Sequence, residues 1–98
     1  MIDGKLNTEV SRGQQAKALL ENKIFTEAFK EIHDKYLDAW RHSAPSKAED
    51  RENIWMMVKT LDAILEHIAT VMTTGKMAEQ QLEALENIKE DGSKKRWL

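Results

Sequence analysis

Six apolar residues, Ile54, Val58, Leu61, Leu65, Ile68 and Met72, recur at intervals of 4, 3, 4, 3 and 4. Only a helix places such a set on one face. A second row, Met57, Ile64 and Val71, runs beside the first at intervals of seven. Together they form a stripe three heptad positions wide, broader than a two-stranded seam needs, so this helix is expected to contact more than one neighbour. Its start is marked by Ser46-Lys47-Ala48-Glu49, which fits the capping box in which Ser and Glu side chains each satisfy a free backbone N–H. Acidic Glu49, Asp50 and Glu52 follow, where they complement the helix dipole. From Lys47 to Thr73 such a helix is about 40 Å long. Thr73-Thr74-Gly75-Lys76 then reads as a stop, with Gly75 suited to a left-handed cap.

The rest of the chain is organised around this element. His42-Ser43-Ala44-Pro45-Ser46 holds the single proline and the strongest turn chemistry, and reads as the corner of a helical hairpin. Before it, Phe25, Phe29, Ile32, Tyr36 and Ala39 are spaced 4, 3, 4 and 3. Ala16, Leu19 and Leu20 do not share that phase, and Asn22, a good N-cap, stands where the phase changes. A short helix capped by Ser11 is therefore expected to precede a longer one. Met77, Ala78, Leu82, Leu85 and Ile88 suggest a third helical segment, or equally a loosely docked extension of the second arm. The resulting expectation is a single all-α domain, a long antiparallel helical hairpin with a short N-terminal helix and a C-terminal helical segment. Its parts are a frayed leader at 1–10, a first arm at 11–42, a second arm at 46–73, a third helix at 76–90 and a basic tail at 91–98.

Composition narrows the function classes. Fifteen Lys and Arg against seventeen Asp and Glu give a formal charge of -2, which argues against binding nucleic acid or an anionic membrane along the whole body. The absence of cysteine excludes disulfides, thiol catalysis and thiolate metal sites. The longest apolar run, Ile54–Val58, is far short of the ~20 residues a membrane span requires. Met1-Ile2-Asp3-Gly4-Lys5 has no basic start or apolar core, so no secretory leader is expected.

Catalytic and metal chemistry find little support. Lys30, Ala39 and Ile64 stand three residues before His33, His42 and His67, so the Glu-x-x-His pattern of carboxylate-bridged metal bundles is missing, as is His-Glu-x-x-His. Asp62 and Glu66 are one helical turn apart but lack a third ligand at metal-site spacing, and such pairs usually face water. Ser11, Ser43, Ser46 and Ser93 sit at expected caps, turns or tail, which are ordinary places for serine. No phosphate-binding glycine loop or nucleophile elbow is present. An enzyme, a cofactor, a metal and a small-molecule substrate are therefore not expected.

Binding is expected instead. Trp55, Met56 and Met57 put large apolar side chains around most of one helix, more than a single partner helix covers, and adaptable Met beside Trp suits a protein–protein surface. Ile64 and Val71 extend the surface along the helix, and pairing of two hairpins would bury the row they form with Met57. Trp40 and Trp55, on either side of the corner, are expected to meet in a hydrophobic plug. In the tail, Lys95 and Arg96 with Trp97 suit a docking motif or a grip on phosphates with a stacked base, against the more ordinary reading of a solubilising disordered end. Nucleic acid is expected only through that tail.

Several stretches resemble small helical proteins encoded among the head and packaging genes of tailed bacteriophages. They are Arg12-Gly13-Gln14-Gln15-Ala16, Leu19-Leu20-Glu21-Asn22, Phe25-Thr26-Glu27-Ala28-Phe29, Leu37-Asp38-Ala39-Trp40, Asp50-Arg51-Glu52-Asn53-Ile54-Trp55, Leu61, Ile68 and Thr74-Gly75-Lys76-Met77-Ala78-Glu79. The resemblance runs over residues 12–85 and carries no catalytic motif. It implies a virion or head-assembly accessory protein, found in the host cytoplasm or the virion. A packaging factor using the basic tail and a small inhibitor of a host protein are the alternatives. The expected function is a non-enzymatic, self-associating protein-interaction module.

Overall fold

The computed structural model describes residues 2–95, with side chains to residue 89, and the fold is all-α. Helix α1 spans Ile2–Glu21, α2 spans Lys23–Arg41 and α3 spans Ala48–Lys95. The chain forms two compact units: α1 up to Lys17 with α3 from Thr70 onward, and residues 18–69.

In the unit of residues 18–69, Asn22 separates α1 from α2. Its side chain accepts the Phe25 N–H at 2.9 Å, satisfying one of the donors that a helix start leaves free. The Thr26 hydroxyl turns back onto the Asn22 and Lys23 carbonyls, at 3.1 Å each. Helix α2 ends at the expected corner, where the Lys47 N–H donates to the Ala44 carbonyl at 2.9 Å across a turn holding Pro45. The Ser46–Glu49 capping box does not close. Lys47 takes the cap position instead, accepting the Arg51 N–H at 3.0 Å, and the helix begins one residue later, at Ala48. Trp40 meets Trp55 and His33 meets Asp62, so residue numbers fall along α2 as they rise along α3 and the two segments run antiparallel. Val58 is the most buried side chain of their contact.

In the other unit, three expected boundaries are corrected. Residues 2–10 are helical rather than a frayed leader, and Ser11 lies inside α1 rather than capping it. The Thr73–Lys76 stretch does not stop the second arm, so the segments expected at 46–73 and 76–90 are one continuous helix. That helix also runs on into the stretch expected to be a basic tail, as far as Lys95. No described glycine has positive φ, so Gly75 is not a left-handed cap. Its part is steric. A Cβ at Gly75 would lie 2.6 Å from the Gly13 Cα and 2.9 Å from the Glu9 carbonyl oxygen, and one at Gly13 would lie 2.7 Å from the Gly75 Cα. Non-bonded carbons prefer about 3.5–4.0 Å, so only two glycines let the backbones of α1 and α3 meet here. Leu6 and Ala16 on α1 and Ala78 on α3 are buried around this crossing. The N-terminal stretch is helical because Leu6, Val10, Gly13 and Ala16 form the face that this crossing covers.

Alanine is a better helix former than glycine by about 1 kcal/mol, so sterics decide the sign of each glycine substitution. Gly4→Ala, with nothing within 4 Å of the new methyl, is expected to stabilise by a few tenths to about 1 kcal/mol. Gly13→Ala and Gly75→Ala are expected to destabilise by about 1–3 kcal/mol through overpacking. Urea titrations followed by circular dichroism measure all three. Stabilisation at all three positions would contradict the crossing.

Candidate interaction surface

The unit of residues 18–69 carries two sides of different chemistry. Between Asn53 and His67 the charged residues of α3 are Lys59, Asp62 and Glu66, spaced three and four apart on one row. Asp62 reaches α2, where its carboxylate lies 3.0 Å from His33 Nε2. The pair stands at a shallow hollow of about 260 Å³ lined also by Thr26, Phe29, Lys30 and Leu65. A His–carboxylate pair suggests general-base chemistry, but the lining hydroxyl, that of Thr26, is turned to backbone carbonyls and presents no nucleophile. The arrangement works as an interhelical tie at a half-exposed site, one of modest strength. Sequence reasoning weighed His33 and Asp62 only as separate ligands. Their pairing needs the hairpin register, which the Trp40–Trp55 contact supplies.

The corner is fixed by Arg51. One guanidinium nitrogen, Nη1, donates to the Trp40 carbonyl at 3.1 Å, the Ser43 carbonyl at 2.8 Å and the Ser43 hydroxyl at 2.8 Å. The guanidinium also lies 4.8 Å from the centroid of the Trp40 ring. It thereby satisfies carbonyls that the end of α2 leaves without intrahelical donors. The two indoles lie 5.3 Å apart, and Lys59 sits 4.9 Å above Trp55. Trp55 thus contacts both Trp40 and Lys59, and belongs to the corner plug. It had been expected in the binding row, but its place in the plug leaves it less available than its neighbours.

The opposite side is uncharged on α3 from Asn53 to Ile64, and on α2 carries one charge, the exposed Lys35 between Ile32 and Ala39. In an antiparallel pair, positions displaced in the same rotational sense from the two contact lines fall on the same side. His33 and Asp62 are displaced one way. Ile32 and Ala39 on α2, with Met57 and Ile64 on α3, are displaced the other way. Ile32, Met57 and Ile64 are 46%, 46% and 45% exposed, and Met56 beyond them is 59% exposed. Ala28 and Ala63 are exposed too. Val71 is half-buried within the other unit. Lys95 closes α3, while Arg96 and Trp97 lie outside the described residues.

Among the described residues no cluster of three or more His, Asp or Glu is placed to hold a metal ion. No described helix is long and apolar enough to cross a membrane. The chain matches no protein-family model, and no curated protein or solved structure is significantly similar to it.

Arg51→Ala is expected to cost about 2 kcal/mol, because it removes the donor to the part-buried Ser43 carbonyl and the packing of the guanidinium on Trp40, while the Trp40 carbonyl keeps the Ser43 hydroxyl. Arg51→Lys should recover only part of this, since an ammonium cannot reproduce the planar guanidinium over Trp40. Thermal unfolding of the two variants tests both statements, and equal stability of all three proteins would remove Arg51 as the corner's anchor.

Proposed function

We propose that this chain is a non-enzymatic protein-interaction module that acts through apolar helix faces and associates with itself. The observation that carries the reading is the side of the 18–69 unit on which Ile32, Met57 and Ile64 stand about half exposed, a side on which α3 has no charged residue from Asn53 to Ile64 and α2 has one, Lys35. Solvent-facing helix surfaces are normally charged, and contiguous exposed apolar patches mark interaction sites. Among the described residues the buried apolar side chains are few, Leu6, Ala16, Val58 and Ala78, and two of them are alanine. A chain with so small a core gains much from burying a further face. The phage setting, an accessory role in a virion or in head assembly, is supported by the sequence resemblance over residues 12–85.

Self-association predicts that stability depends on concentration, because partner binding stabilises the folded state by mass action. The melting temperature is expected to rise by several degrees between 1 and 100 µM (roughly the range over which micromolar complexes form). Sedimentation velocity should show an oligomer growing over the same range. A strict monomer with a concentration-independent melting temperature would overturn the reading.

A further inference from the structure

We infer that the partner is a second copy of this chain, and that the two copies pair their α3 helices antiparallel about a two-fold axis passing beside Thr60. This rests on the interaction-module reading and adds the partner, the seam and its symmetry.

The sequence of α3 is arranged symmetrically about that residue. Met57 and Ala63 lie three residues to either side of Thr60, Met56 and Ile64 four, and Asn53 and His67 seven. All are exposed and none is an acid or a strong base. These spacings put them on one face of the helix, next to the face that packs on α2. An antiparallel two-fold at Thr60 maps the face onto itself, as an isologous contact requires. It sets Met57 beside Ile64 of the other copy, and Met56 beside the small Ala63. It also brings Asn53 opposite His67, so that the polar groups at the ends of the seam meet each other. The charged row of Lys59, Asp62 and Glu66 stays off the seam, so the operation forces no like charges together.

One further observation fits burial of this face. The Thr60 hydroxyl is already satisfied by the Met56 carbonyl at 2.8 Å, so the residue enters a dry contact without stranding a donor.

The chain has no cysteine, so single cysteines report the axis. In the full-length protein, Thr60→Cys is expected to form a covalent dimer under mild oxidation, because a residue at a two-fold axis meets its own copy. Asn53→Cys alone should not cross-link, whereas a mixture of Asn53→Cys and His67→Cys chains should. Thr60→Lys puts two ammonium groups together and is expected to raise the dimer dissociation constant at least about a hundredfold, with helicity unchanged by circular dichroism. Met77→Lys, at an equally exposed apolar residue of the other unit, should leave it unchanged. An oligomer that persists in Thr60→Lys, or cross-linking by Asn53→Cys alone, would overturn this seam while leaving self-association intact. A wild-type chain that stays monomeric would overturn both.

Discussion

Helix α3 carries more apolar surface than the helices packed on it cover. It buries Val58 against α2 in one unit and Ala78 against α1 in the other, yet leaves Met56, Met57, Ile64, Met77 and Ile88 exposed. The hydrophobic gain from a fully buried aliphatic side chain is about 1.5–3 kcal/mol. Each half-exposed residue therefore holds a stabilisation that the monomer does not collect. This constraint joins the fold to the proposed activity, because the apolar residues left uncovered in the unit of residues 18–69 are those that would bind.

The helical periodicity of the large apolar residues was legible from sequence, and it placed most of the 18–69 unit. The rows Phe25–Ala39 and Ile54–Met72 lie in α2 and α3, Asn22 caps where the phase changes, and Pro45 turns the chain between the two tryptophans. The features that escaped sequence reading came from small residues. The helical face of residues 2–17 is built on Leu6, Gly13 and Ala16, and glycine and alanine barely register in a search for apolar periodicity. Gly75 misled for a related reason. Glycine is used both to end helices and to let backbones touch, and one sequence does not distinguish the two uses. The answer depended on Gly13, sixty-two positions away, reaching the same crossing.

The candidate surface divides along the same line. Met57 and Ile64 could be assigned to a binding row from spacing alone, because a stripe three heptad positions wide exceeds what one neighbour covers. Trp55 could not be placed that way. Its availability depends on whether the indole is spent on other contacts: the Lys59 contact is a local one, four residues along the same helix, but the tilted contact with Trp40 is a tertiary fact. Arg51 escaped notice because a guanidinium that caps another helix looks, in sequence, like any charge near a helix start.

Charge placement gives the reading its direction. An interhelical His33–Asp62 contact within reach of water contributes little to stability, since exposed pairs are screened and cost side-chain entropy. It nevertheless marks one side of the α2–α3 pair as the side facing solvent. A partner pressed onto that side would have to desolvate Asp62 and the neighbouring Lys59 and Glu66, at a penalty that ion pairing seldom repays. On the other side, Ile32, Met57 and Ile64 impose no such penalty, and the Thr60 hydroxyl is already bonded to its own helix. With α3 charged on one side and uncharged on the other, the proposed contact would use the uncharged face, and an isologous contact there would close on itself as a pair rather than grow into an open chain of copies.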